Sequence, residues 1–185
     1  MARLNGYTKK QILDLYRKMA LSRKLDEKML VLLKQGKSFF HIGASGHEAA
    51  QIAAANLMRP RQDWSFPYYR DGAYCIAIGM TPKEQLLSFL ARADDPNSGG
   101  RQMPQHYGHK ELRIISQSSP TGTQFLQAVG CALASKMGKT KNIVYVSSGE
   151  GTTSQGDFHE AINWASNAKA PIIFHIQDNE YAIST

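Results

Sequence analysis

Apolar residues at Ile12, Leu15, Tyr16, Met19, Leu25, Met29 and Leu32 recur at the spacing of one helix face, with charged side chains between them. Thr8 and Gln11 form a capping box at the start of this run and Gly36 closes it, so the pattern predicts a long helix over about 8–36. Such a helix is expected to lie along the subunit rather than fold into a compact bundle. An alanine-rich, buried helix is expected over 47–58. Another runs from Thr81 to about Ala93, with Pro82 suited to its first turn and Glu84 completing a cap. Helical spacing resumes over 124–137. The period then changes: 142–146 is an apolar strand, 155–169 a helix and 171–177 a second apolar strand. Uncharged strands alternating with helices predict an α/β fold, a parallel sheet flanked by helices on both faces. Two stretches read as irregular: the aromatic-rich segment from Arg59-Pro60 through Trp64, Phe66, Tyr68 and Tyr69, and residues 94–122, a long loop of the kind that is functional or mobile.

A chain of 185 residues with 42% hydrophobic and 20% charged residues reads as one globular domain, 1–185. The net charge of +7 is concentrated early, at Lys9-Lys10, Arg17-Lys18 and Arg23-Lys24. A basic helix can meet nucleic acid, but no nucleic-acid module accompanies it, and a solvated helix face is the better reading. No run approaches the ~20 apolar residues of a membrane span. The first ten residues show no apolar signal segment. Neither nucleic acid nor a membrane is therefore an expected partner. Cys75 and Cys131 stand apart, which suits a reducing compartment. Cytoplasm is the default location, with a mitochondrial matrix form lacking its transit peptide as the alternative.

The densest chemistry lies in the run from Gly149 to Ser184. Glu150 sits between two glycines, a helix and strand follow, and then comes Asn179-Glu180-Tyr181. A turn between strand and helix aims backbone N–H groups and a helix dipole at an anion such as phosphate. A right-handed crossover brings the second loop beside the first at the carboxyl edge of a parallel sheet. Glu150 and Asn179 supply hard oxygen ligands of the kind magnesium takes when it bridges protein and phosphate. The plainer alternative for Glu150 is an acid at a helix N-terminus, worth ~0.3–1 kcal/mol.

This run resembles the diphosphate-binding signature of thiamine-diphosphate enzymes. Phe40-His41-Ile42-Gly43, His47-Glu48-Ala49 and Tyr69-Arg70-Asp71-Gly72 narrow the resemblance to the alpha subunit of 2-oxo acid dehydrogenases. The 100–111 and 118–124 segments, with glutamate rather than aspartate at 150, are similar to the branched-chain type. The resemblance implies thiamine diphosphate and Mg2+ as cofactors, and oxidative decarboxylation of a branched-chain 2-oxo acid with acyl transfer to a lipoyl group. Its partners are a beta subunit, in a heterotetramer, and a lipoyl-bearing acyltransferase component of a multienzyme complex. Glu150, Asn179 and the Tyr181 carbonyl are the implied magnesium ligands. Tyr69, Arg70, Gly151, Thr152 and position 177 are implied at the diphosphate, and Ser119 near the aminopyrimidine. Ser118, Pro120, Thr123 and Gln124 match a potassium site, with a serine–threonine turn capping the next helix as an equal alternative. For Arg70 the competing reading is a surface pair with Asp71.

Two departures stand against the pattern: Asp178 replaces the first asparagine of an Asn-Asn pair, and Gln177 replaces a diphosphate-binding arginine. Alpha subunits of this type are also considerably longer, so the domain is expected to be incomplete at its C-terminus. The expected role is thus at most half a catalytic site. A non-catalytic scaffold fragment and a pyruvate or acetoin dehydrogenase alpha subunit are the alternatives. The histidines lend themselves to less. His47-Glu48 begins like a zinc-protease helix but Gln51 stands where the second histidine is needed, and no Cys/His cluster supports zinc at His106 and His109. His106 remains the candidate catalytic histidine, facing the active site from a loop.

Overall fold

The computed structural model describes residues 3–4 and 6–182; Met1, Ala2, Asn5 and 183–185, the end of the Gly149–Ser184 run among them, lie outside the described residues. A two-residue antiparallel pair, β1 (Arg3–Leu4) and β2 (Tyr7–Thr8), leads into α1 (Lys9–Lys34). The Thr8–Gln11 capping box forms in both directions. α1 packs along α2 (Glu48–Ala55), α3 (Gly72–Ile78) and α4 (Pro82–Phe89) through Leu25, Met29 and partly buried Leu15 and Met19. Its basic residues face solvent or pair locally, Lys18 with Asp14 and Lys24 with Glu27, except Arg23, whose Nε donates to the buried Glu48 carboxylate of α2 at 2.6 Å.

The core sheet has three parallel strands in the order β3 (Trp64–Phe66), β4 (Val144–Gly149), β5 (Ile172–Gln177). Alternation along β4 assigns its side chains to two layers. Val144 and Val146 pack with Phe66 against α5 (Thr123–Met137) and α6 (Gly156–Ala168), around Phe125, Ala128 and Ala161. Tyr145 faces the other way, stacked on Tyr74 at 3.9 Å in a cluster with Ile78, Met80, Tyr107 and Leu112. Helices therefore cover both faces of a parallel sheet, as the strand composition demands.

Several boundaries differ from the sequence expectation. β3 arises inside the stretch read as irregular, and α3 in the segment after Tyr69, to which no element was assigned. β4 runs on through Ser147 and Ser148 to Gly149, because its pairing with β5 continues to Gly149↔Gln177. α4 keeps its Thr81–Glu84 capping box but stops at Phe89, and Ala91 takes a left-handed conformation (φ 50°) well before Ala93. α2 is shorter than 47–58, and only one face of it is buried, through Glu48, Gln51, Ile52 and Ala55. Residues 94–122 are irregular apart from isolated bridges of Ile114 to Ser65 and His109. Among the described residues no helix is long and apolar enough to cross a membrane, and Cys75 and Cys131 are free thiols.

Candidate functional site

The carboxyl ends of β4 and β5 lie side by side, so the turn after Gly149 and the loop after Gln177 meet. The chain does not pass directly from β4 into a helix. A 3-10 turn, Glu150–Ser154, intervenes and α6 begins only at Gly156, so Glu150 is not a first-turn acid of α6. Instead its carboxylate reaches the second loop: Oε1 accepts the Tyr181 N–H at 3.0 Å and Oε2 the Asn179 N–H at 3.4 Å. Asn179 Oδ1 accepts the same Tyr181 N–H at 2.8 Å. Two acceptor oxygens thus converge on one donor and keep lone pairs free for a cation. Hard oxygens from a carboxylate and an amide are what magnesium takes. Asp178 works as a turn residue, accepting the N–H of Glu180, whose φ is 62°. The two loops touch at Gly151, where a Cβ would stand 2.9 Å from that of Ala182. Thr152 is buried next in the turn.

Arg70 is half-buried. Its Nη1 donates to the Gly43 carbonyl at 3.1 Å, and its guanidinium lies 5.8 Å from the Tyr69 ring centroid. Its Nε and the Tyr68 hydroxyl are both buried and neither makes a hydrogen bond of good geometry among the described residues, although the two side chains lie near enough to interact with each other. Burial, then the neighbouring Asp71, pushes ionisation of that hydroxyl well up, so it stays a donor. His47 lies within electrostatic reach of Arg70, Glu150 and Asp178; burial first, then Arg70, hold its imidazole below the ordinary histidine range. Orphaned donors beside converging oxygens fit a diphosphate with a divalent cation, because each group lacks what that ligand brings.

A surface pair between Arg70 and Asp71 is ruled out. Asp71 is fully buried and turns inward, accepting from the Ser147 hydroxyl, the Tyr145 hydroxyl and the Gln177 side-chain amide. Burial outweighs these donors and pushes its carboxyl up to about 6.

That network also corrects the expectation for Gln177. Its side chain is enclosed, its nitrogen donating to Asp71 and its oxygen accepting from Gln51 at 2.7 Å. Asp71 in its charged form can only accept, so it claims the nitrogen, and the side chain is turned into the interior rather than toward the cofactor loops.

His106 is buried rather than presented by an open loop. Its Nδ1 faces the Pro104 carbonyl at 3.2 Å, which requires a proton on that nitrogen, so Nε2 accepts from the Ser119 hydroxyl at 2.7 Å. Ser119 and His106 are therefore brought together. His109 instead lies 3.4 Å from Glu84 on α4. Among the described residues no group of three or more His, Cys, Asp and Glu could hold a metal. In the 118–124 turn, the Thr123 hydroxyl donates to the Pro120 carbonyl at 3.0 Å. Gln124 Oε1 accepts the Gly122 N–H and Nε2 donates to the Ser147 carbonyl, bracing the turn against β4. The Pro120 and Gln124 oxygens each accept one internal bond and the Thr123 hydroxyl donates one, which braces the turn but leaves each oxygen a lone pair, and Ser118 is half-buried beside them.

Sequence reasoning met Tyr68, His47 and Gln51 but gave none of them a part in the site. The only available signal was polar residues at positions where the helical and strand patterns require burial.

The chain matches the family model described as dehydrogenase E1 component over residues 16–185. It is 49% identical to the 2-oxoisovalerate dehydrogenase subunit alpha of Bacillus subtilis, across 97% of this chain and 54% of that protein. The mitochondrial subunits alpha of mouse and human are 37% and 36% identical, over 95% and 96% of this chain and 39% of each relative. The chain thus spans about half, or less, of the length of these relatives.

Proposed function

The chain belongs to the dehydrogenase E1 component family, and from that premise we propose that residues 1–185 form one cofactor-binding unit of a 2-oxoisovalerate-type dehydrogenase alpha subunit. The reaction is oxidative decarboxylation of a branched-chain 2-oxo acid with acyl transfer to a lipoyl group. The observation that carries this reading is the convergence of Glu150 and Asn179 oxygens on the Tyr181 N–H, with Arg70 and Glu150 both within electrostatic reach of His47.

Glu150, the Asn179 amide oxygen and the Tyr181 carbonyl would hold magnesium. Arg70, stacked beside Tyr69, would neutralise the diphosphate, with the backbone of Gly151 and Thr152 lining it and Ser119 toward the aminopyrimidine. Thiamine diphosphate, when bound, supplies the electron sink that lets carbon dioxide leave. The residues of this chain bind, orient and neutralise charge, and none of the described residues is assigned the activation of the cofactor's pyrimidine. That task falls to a beta subunit, and the acyl group passes to the lipoyl arm of an acyltransferase component. The setting is a reducing interior, consistent with two free thiols and with the mitochondrial names of the mouse and human relatives.

The test is calorimetric titration of thiamine diphosphate into the intact protein with its beta partner, with and without magnesium. Glu150→Ala is expected to abolish the magnesium-dependent part of binding while leaving helical content unchanged. Equal affinity in wild type and variant would remove the metal assignment.

A further inference from the structure

Gln51 lies on the buried face of α2, fully enclosed, and every hydrogen-bonding position of its carboxamide is used. Its oxygen accepts the N–H groups of Ala73 and Tyr74 at 3.1 and 3.2 Å, which are orphan donors in the first turn of α3. Its nitrogen donates to the Arg70 carbonyl at 3.0 Å and to Gln177 Oε1 at 2.7 Å. One side chain therefore touches the turn that carries Tyr69 and Arg70, the helix that follows it, and the last residue of the strand that leads to Asn179 and Tyr181.

The orientation of this amide is forced rather than chosen. Asp71 accepts from the Gln177 nitrogen, so the Gln177 oxygen must face Gln51. Gln51 must answer with its nitrogen, which leaves its oxygen for the α3 N–H groups. A flip of either amide would set two like groups against each other at several points of a dry network, where each unmet group costs about 1–3 kcal/mol.

We propose that Gln51 is a positioning residue, setting the distance between the Arg70 turn and the loop after β5 and thereby the geometry in which a diphosphate and its magnesium ion are held. This rests on the reading of that site as a diphosphate site, and extends it to a side chain that meets neither ligand.

Two measurements on the intact protein separate this from ordinary packing. Thiamine diphosphate with saturating magnesium is titrated into wild type, Gln51→Met, Gln177→Met and the double variant. Amide hydrogen exchange is followed in the same proteins without cofactor. Gln51→Met is expected to weaken binding by about tenfold or more and to speed exchange in 69–74 and 178–182 together. The double variant is expected to lose less affinity than the sum of the two single variants, because both substitutions cut the same Gln51–Gln177 bridge while Gln177→Met also removes a donor from Asp71. A lower melting temperature with unchanged affinity, and exchange altered in neither segment, would reduce Gln51 to a core residue. If wild type binds no thiamine diphosphate, the functional reading falls, while the exchange data still decide whether Gln51 couples the two segments.

Discussion

Gln177 donates its side-chain amide to Asp71 across 106 positions of the chain, and neither side chain reaches solvent to any extent. A carboxylate buried without a contacting cation is tolerable only when its oxygens are well supplied with donors. Here the Ser147 and Tyr145 hydroxyls share one oxygen and Gln177 takes the other. Tyr145 extends the network to His175 Nδ1 at 2.8 Å, and Gln177 extends it to Gln51. Beneath the proposed cofactor loops the inner face of the sheet is therefore a polar lattice, and its members fix where β4, β5 and the Arg70 turn end.

Asp71 should make stability depend on pH in an unusual direction. Burial raises its carboxyl to about 6, above the ordinary value of 3.8, so between those limits the folded chain holds a proton that the unfolded chain has lost. Its contribution is then full below pH 4 and falls by about 3 kcal/mol as pH rises toward 6, levelling off above 7. Asp71→Asn cannot titrate. The urea midpoint of wild type minus that of Asp71→Asn is expected to decrease from pH 4 to pH 6 and then stay flat. Parallel curves across that range would show that the carboxyl is not so perturbed.

Arg70→Lys tests the guanidinium itself. The fork reaches the Gly43 carbonyl with one nitrogen while Nε remains unpartnered, and the plane lies near the Tyr69 ring. An ammonium keeps the charge and loses both the second donor direction and the planar contact. Affinity for thiamine diphosphate is expected to fall about tenfold with little change in melting temperature, read by calorimetry and by scanning calorimetry of the same samples. Unchanged affinity would make Arg70 a structural residue that ties the 69–72 turn to Gly43.

Much of this architecture was legible because its signals are local. The capping boxes of Thr8 with Gln11 and Thr81 with Glu84 both form, and the crossover from Glu150 to Asn179 followed from a strand, helix, strand pattern. What escaped was defined by distant partners. Trp64–Phe66 is too short, and too close to Pro60 and Pro67, to show a period of two; it is a strand because β4 pairs with it. α3 shows no amphipathic face because almost all of it is buried, and the Arg70-Asp71-Gly72 stretch before it reads as a turn. Asp71 looked like a partner for its neighbour, and Gln177 like a ligand, because nothing in a linear pattern reveals that the two meet each other. The seam between β4 and α6 was read as a turn leading to a helix from 155, and α6 does begin at Gly156; only the 3-10 form of the intervening turn had no signal of its own.

Phe125→Ala probes the layer under α5 and α6. The ring is fully buried, 5.1 Å from Phe158 and 6.1 Å from Phe174. Removing it leaves a cavity between two helices and the sheet that the neighbouring rings cannot fill, at an expected cost of about 3–5 kcal/mol. Denaturant titration is expected to show a lower midpoint with an unchanged slope. A loss under 1 kcal/mol would mean that α6 collapses onto α5 without it.

Gly151 offers the sharpest separation of site geometry from stability. Its backbone needs no left-handed conformation, so alanine is allowed by its dihedral angles, and the objection is purely one of contact. The new Cβ would stand 2.9 Å from the Ala182 Cβ, closer than two methyl carbons can approach. Residue 151 is exposed, so the strain is relieved by moving the 178–182 loop rather than by disturbing the core. That loop carries Asn179 and Tyr181, which Glu150 now holds through their N–H groups. Gly151→Ala should therefore weaken magnesium-dependent binding of thiamine diphosphate about tenfold or more while leaving the melting temperature nearly unchanged. Replacing the opposing methyl supplies the control: Ala182→Gly in the Gly151→Ala background removes the clash and should recover most of the affinity. Recovery would place the effect in the contact between the two loops. If the second substitution restores nothing, the defect lies instead in the backbone of the 3-10 turn, and the approach of the loops does not govern the site.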